Sequence, residues 1–200
     1  NSMATSSLSM FENCGKLATL KMQNFKGEEI IDSSKMFKGC SSLETLNLNE
    51  FIGAMENIQE MFEGCTKLKE LQISRLNIEH VHSLYALFSG CKAITSLDLS
   101  NFDTSLVTDY SDMFKECNAL TSIDFGDETK WDTYEAIYMK SMFEGCSSLV
   151  NLDLRKFKTQ NVKIMTSMFK DSSGLKSLKI DNFNTVNVNN MDEMFAGVTS

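Results

Sequence analysis

Six cysteines, Cys14, Cys40, Cys65, Cys91, Cys117 and Cys146, are the side chains best suited to chemistry in this 200-residue sequence. Thiols bridge, bind zinc or attack electrophiles, and bridging or ligation requires them to converge on one point. These cysteines stand 26, 25, 26, 26 and 29 residues apart and form no CxxC pair. Such spacing stacks them in a column with parallel Cβ vectors, which predicts buried free thiols. Ser172 and Val198 continue the column, so the slot asks for a small side chain. His80 and His82 flank Val81 and, with Glu79, offer at best an open metal site, so they read as a solvated pair. No phosphate-cradling glycine loop is present, and no nucleophile stands at a predictable distance from either histidine. No catalytic residue, metal or cofactor is expected.

The element that positions the cysteines is a repeat. Met-Phe doublets at 10, 36, 61, 113, 142, 168 and 194, with Leu87-Phe88 as a variant, give eight anchors spaced 25 to 29 residues apart. A period in that range marks a solenoid, in which each unit buries its apolar side only against its neighbours. After the doublets come segments of the form LxxLxL: LATLKM, LETLNL, LKELQI, ITSLDL, LTSIDF, LVNLDL and LKSLKI. Their period-two alternation predicts seven short parallel strands. A second inward column follows at Phe25, Phe51, Leu76, Phe102, Trp131, Phe157 and Phe183, with Trp131 preceded by a three-residue insertion.

The return leg carries apolar residues at helical spacing, as in Val107, Tyr110, Met113, Phe114 and Cys117. Asn57, Asp109 and Asn190, three residues before Glu60, Asp112 and Glu193, resemble capping boxes. Gly39, Gly64, Gly90, Gly145 and Gly197, or Asn13, Glu116 and Asp171, stand where a left-handed residue would close the helix. The fold class expected is α/β: a right-handed leucine-rich-repeat solenoid with one short strand and one short helix per repeat, forming a single array over residues 1–200.

Contacts with a partner are expected on two parts of this array. Asp98, Asp124 and Asp153 fall in one polar strand column and make an acidic strip, although Asp is also an ordinary filler at a solvated position. The irregular stretch GDETKWDTYEAIY adds Trp131, Tyr134 and Tyr138, of types favoured at binding hot spots, while Trp131 also fits the core column. The net charge of −8 and the lack of a Lys/Arg stripe argue against nucleic acid. No apolar run approaches the length of a membrane span.

The stretches MFKGCSSLETLNLNEF, MFEGCSSLVNLDLRKF and LDLSNFDTSLVTDYSDMF resemble repeats of BspA-like leucine-rich-repeat surface proteins, in the variant found in mycoplasma-type and gut-bacterial surface lipoproteins. The resemblance implies a cell-surface or secreted location and adhesion to an extracellular or host protein or glycan. A structural spacer and a cytosolic scaffold are the alternative roles. The chain starts and stops within a repeat without an evident polar cap, which suggests a fragment of a longer protein or end-to-end self-association.

Overall fold

A computed structural model describes residues 4–22, 25, 27–51 and 53–199. The repeats stack as the sequence period requires. Residues about 26 apart lie beside one another, and the Phe of each doublet forms an unbroken pile from Phe11 to Phe195, with neighbouring centroids 5.4 to 5.8 Å apart. Rings at that distance and nearly parallel are offset-stacked, which orients the rungs as well as burying area. The interior rings are wholly buried.

Six strands lie among the described residues: β1 (Thr45–Asn47), β2 (Glu70–Gln72), β3 (Ser96–Asp98), β4 (Ser122–Asp124), β5 (Asn151–Asp153) and β6 (Ser177–Lys179). Each is three residues long. Its middle residue (Leu46, Leu71, Leu97, Ile123, Leu152 or Leu178) turns toward the core between two polar neighbours. That is the period-two pattern the sequence announced. The seventh predicted strand, in LATLKM, reduces to one parallel bridge, Thr19 to Thr45. The strands pair in parallel as β1 with β2, β3 with β4 and β5 with β6, in registers that match equivalent repeat positions. The strand leg is therefore three two-stranded pieces and not one continuous sheet.

The expected helix on the return leg does not form, and no helix occurs among the described residues. One rung shows why. The N–H groups of Ser33, Lys35, Phe37 and Gly39 donate to the carbonyls of Asn57, Gln59, Met61 and Glu63 in the next repeat, at 2.7 to 2.9 Å. The intervening N–H groups of Met36, Lys38 and Cys40 close tight turns onto Ser33, Lys35 and Phe37. Half the donors thus leave the rung, where a helix would keep them within it. This geometry needs two left-handed residues four apart, here Lys35 at φ 56° and Gly39 at φ 72°. The second of these columns contains every residue the sequence marked as a helix stop, from Asn13 at φ 59° to Gly197 at φ 76°. The first column, including Ser9, Glu60, Ala86, Asp112, Ser141, Ser167 and Glu193, contains no glycine and was not foreseen.

Asn57, Asp109 and Asn190 do cap, but each caps a turn: their side-chain oxygens accept the N–H two residues on, at 2.8 to 3.2 Å. No helix of the described residues is long and apolar enough to cross a membrane.

Candidate interaction surface

The cysteine column is resolved by one hydrogen bond repeated along the stack. The Sγ–H of Cys40, Cys65, Cys91, Cys117 and Cys146 donates to the carbonyl of Phe11, Phe37, Phe62, Phe88 and Phe114 respectively, at 3.1 to 3.2 Å. Ser172 makes the same bond to Phe143 at 2.6 Å. Each Phe carbonyl already accepts the N–H of its own repeat's cysteine or serine, so the side chain from the next repeat fills its second lone pair. At the six rungs from Cys40 to Ser172 the slot therefore holds a small side chain that is also a donor, and Val198 continues the column without one. All six cysteines are free, with Cys14 exposed and the others buried. Burial pushes the Cys40 thiol up to about 11 and the Cys146 thiol up to about 12, and holds Cys65, Cys91 and Cys117 high as well. A thiol kept protonated is a poor nucleophile, so the column is structural.

Asp98, Asp124 and Asp153 are exposed; Asp98 lies opposite Asp124 across β3 and β4, and Asp153 lies opposite Lys179 across β5 and β6. Each also closes the turn that follows its strand. Asp98 accepts the N–H and hydroxyl of Ser100 at 3.0 and 2.6 Å, Asp124 accepts the N–H of Gly126 at 2.8 Å, and Asp153 accepts the N–H of Arg155 at 3.1 Å. The Ser100 bonds lower the Asp98 pKa, and the Arg155 guanidinium, 2.6 Å away, holds the Asp153 carboxyl well below the usual carboxylate range. Lys179 approaches Asp153 at 3.6 Å. The strip is thus partly neutralised at its C-terminal end, and its uncompensated charge sits at Asp98 and Asp124.

Trp131 is in the core, 1% exposed, with its ring 4.5 Å from Phe125 and 6.0 Å from Tyr110. It anchors the insertion, whose residues Asp127 to Lys130 are exposed, and it presents no surface of its own. Its Nε1 is buried without a hydrogen-bond partner, a cost the aromatic cluster has to offset. Tyr134 and Tyr138 are 50% and 45% exposed on the return leg, where Tyr138 lies between Asp109 and Ile164. The residues singled out in the sequence therefore do not form one site. The three aspartates lie on the strand leg and the two tyrosines on the return leg.

Two features escaped the sequence reading. An open depression of about 520 Å³ lies where the strand leg meets the insertion, lined by Asp124, Glu128, Asp153, Arg155, Lys156 and Asn182 among others. The buried Thr104, Thr133 and Thr159 each clamp two repeats, their hydroxyls donating to the carbonyls of Asp132, Lys158 and Asn184 and accepting from the N–H groups of Asp132, Lys158 and Asn184. A signal for the threonines was present: each stands two residues after the inward aromatic Phe102, Trp131 or Phe157. His80 and His82 are exposed and Val81 is buried between them; no cluster of three metal-ligating side chains occurs among the described residues.

An array of this kind, with short parallel strands, stacked repeats of about 26 residues and no helix among the described residues, is a leucine-rich-repeat solenoid. The chain belongs to a family described as "Mycoplasma protein of unknown function, DUF285", which matches residues 2–93, 52–124 and 120–200. That agrees with the BspA-like surface-protein resemblance carried by the MFxGC motif. Among solved structures the chain is similar to a leucine-rich cell surface protein from Faecalibacterium prausnitzii, at 16% identity and a TM-score of 0.54 over 76% of this chain. The match spans 36% of that protein's length. A leucine-rich-repeat protein from T. pallidum matches at 17% identity over 70% of this chain and 71% of its own, with a TM-score of 0.36. At 16% identity the likeness to the Faecalibacterium protein is one of fold. The search of curated proteins returned no match.

Proposed function

We propose that this chain is a recognition module, displayed on a cell surface or secreted, that binds an extracellular protein or glycan without covalent chemistry. The observation that carries the reading is the depression beside the insertion. There the repeat rule breaks, and Asp124, Glu128, Asp153, Arg155, Lys156 and Asn182 offer both signs of charge and an amide around one open concavity. Polar groups of that variety suit a hydrogen-bonding partner, and the rigid stack behind them limits the ordering cost of binding. The cell-surface character of the Faecalibacterium protein supports the location. Tyr134 and Tyr138 form a separate candidate contact on the return leg.

The test is to screen the chain against extracellular matrix proteins and glycans and then titrate the best binder with two variants. Glu128→Ala with Arg155→Ala is expected to weaken binding at least tenfold, or about 1.4 kcal/mol. Tyr134→Ala with Tyr138→Ala is the comparison. Loss confined to the tyrosine variant would move the site to the return leg, and full affinity in both would remove both assignments.

A further inference from the structure

The last apolar position of the strand segments changes type once along the array. Met22, Leu48, Ile73, Leu99, Leu154 and Ile180 fill it elsewhere, and Phe125 fills it after β4. The Phe125 ring meets Phe157 edge-on, with centroids 5.3 Å apart and planes at 75°, so it does not join the parallel pile of the return leg. With Ile123 it gives an apolar floor to the open depression beside the insertion, at a place where β4 and β5 do not pair. Both signs of charge line that depression, but they are not equally available. Arg155 clasps Asp153 through three hydrogen bonds from Nε and Nη2 at 2.6 to 3.2 Å, and the Lys156 ammonium donates to the Gly126 carbonyl. The Asn182 amide nitrogen is engaged as well, on the Arg155 carbonyl at 2.9 Å. The anions at the other side are less committed. Asp124 accepts the Gly126 N–H, Glu128 is exposed, and neither makes an ion pair among the described residues.

We propose that this depression takes one cationic side chain, a lysine or an arginine, presented by a protein partner. Its ammonium or guanidinium pairs with Asp124 and Glu128, and its alkyl stem lies over Ile123 and Phe125. Long basic side chains are built for such a place, since they cover apolar surface with the stem while the charged head stays at the rim. A phosphate or carboxylate ligand fits less well. It would need Arg155 or Lys156, and each would first have to leave the acceptor it already holds. The net charge of −8 draws a basic partner toward the array before contact. The inference rests on the depression being the recognition site and narrows the partner from a protein or glycan to a protein that offers a basic residue.

Nuclear magnetic resonance titration of the isotope-labelled chain tests this with three probes. They are a capped glycine pentapeptide with a central arginine, the same peptide with citrulline, which keeps the shape of arginine without its charge, and the neutral glycan maltohexaose. The arginine peptide is expected to shift the amides of Ile123, Gly126 and Lys156 and to bind about fivefold more tightly than the citrulline peptide, the size of two exposed charge pairs. Asp124→Asn with Glu128→Gln is expected to remove that advantage while the fold is kept, because asparagine still accepts the Gly126 N–H. Glu79→Gln with Glu135→Gln takes the same charge from another part of the array and is expected to change affinity by less than about twofold. Equal affinity for the two peptides, or maltohexaose moving those amides while the arginine peptide does not, would overturn the cationic assignment and leave the depression as the recognition site. An equal loss in the Glu79 and Glu135 variant, or no movement with any probe, would overturn the assignment together with the site.

Discussion

The strand leg and the return leg of this solenoid bury similar side chains but connect the repeats to different extents. On the strand leg, hydrogen bonding joins β1 to β2, β3 to β4 and β5 to β6 as separate sheets. On the return leg the inter-repeat bonds run without a break at the Phe position, from the Phe11 N–H onto Met36 through to the Phe169 N–H onto Met194. The ring pile and the thiol column lie on that same leg. The continuous spine of the molecule is therefore its turn ladder, and the strands decorate it. In a stack where each unit touches only its neighbours, the side with unbroken coupling transmits most of the stability.

The largest test of this difference is a truncation on each leg. Phe114 is wholly buried between Phe88 and Phe143, at 5.8 and 5.4 Å. Phe114→Ala is expected to cost about 3–5 kcal/mol in urea unfolding. Ile123, at the centre of β4, is only partly buried. Ile123→Ala is expected to cost no more than about 2 kcal/mol, because less area leaves the core. Equal losses would mean that the strand leg carries as much of the fold as the turn ladder.

The legs also differed in how readable they were. The strands were legible because alternation reports a half-buried extended segment directly: Leu46, Leu97 and Leu152 are buried between exposed neighbours. The return leg was misread because two turns in succession, with left-handed residues four apart, repeat at nearly the 3.6-residue period of a helix. Val107, Tyr110, Met113, Phe114 and Cys117 do face the core together, so the burial pattern was right while the backbone was wrong. Glycine revealed one left-handed column. The other is filled by Ser, Lys, Glu, Ala and Asp, whose types give no such warning, and its conformation follows from the inter-repeat bonds alone. Of the residues singled out for contact, the exposure of the three aspartates and the two tyrosines was legible. The depression was not, because its lining comes from three successive repeats and includes Lys156, which reaches the Gly126 carbonyl one repeat back.

A mid-sized effect separates the two explanations of the cysteine column. If the slot selects for size alone, Cys91→Ser and Cys91→Val should cost similar amounts. The Cys91 thiol bonds the Phe62 carbonyl at 3.2 Å in a buried setting, and serine already makes the equivalent bond at position 172. Cys91→Ser is expected to cost less than about 1 kcal/mol, and Cys91→Val, which forfeits the donor, about 1–2 kcal/mol. Urea midpoints of the two variants decide between size and donor. The bond strengthens the return leg specifically, so the same valine variant should also weaken hydrogen-exchange protection of the Phe62 turn before that of β2 or β3.

The smallest test places one residue change on each leg with opposite expected signs. Ser122 lies in β4 with ordinary strand geometry and an exposed side chain, so Ser122→Gly loses only the restraint that a side chain gives the unfolded backbone and is expected to cost about 0.5–1 kcal/mol. Ser167 sits at φ 56° in the left-handed column that has no glycine. An L-residue there carries about 1–2 kcal/mol of steric cost. Ser167→Gly removes that cost while adding about 0.4–1 kcal/mol of unfolded-state entropy, for a net result between no change and about 1.5 kcal/mol of gain. Thermal melts of the pair measure the difference directly. A loss at Ser167 as large as that at Ser122 would mean that the turn ladder does not hold its first column left-handed, and the spine assigned to the return leg would have to be redrawn.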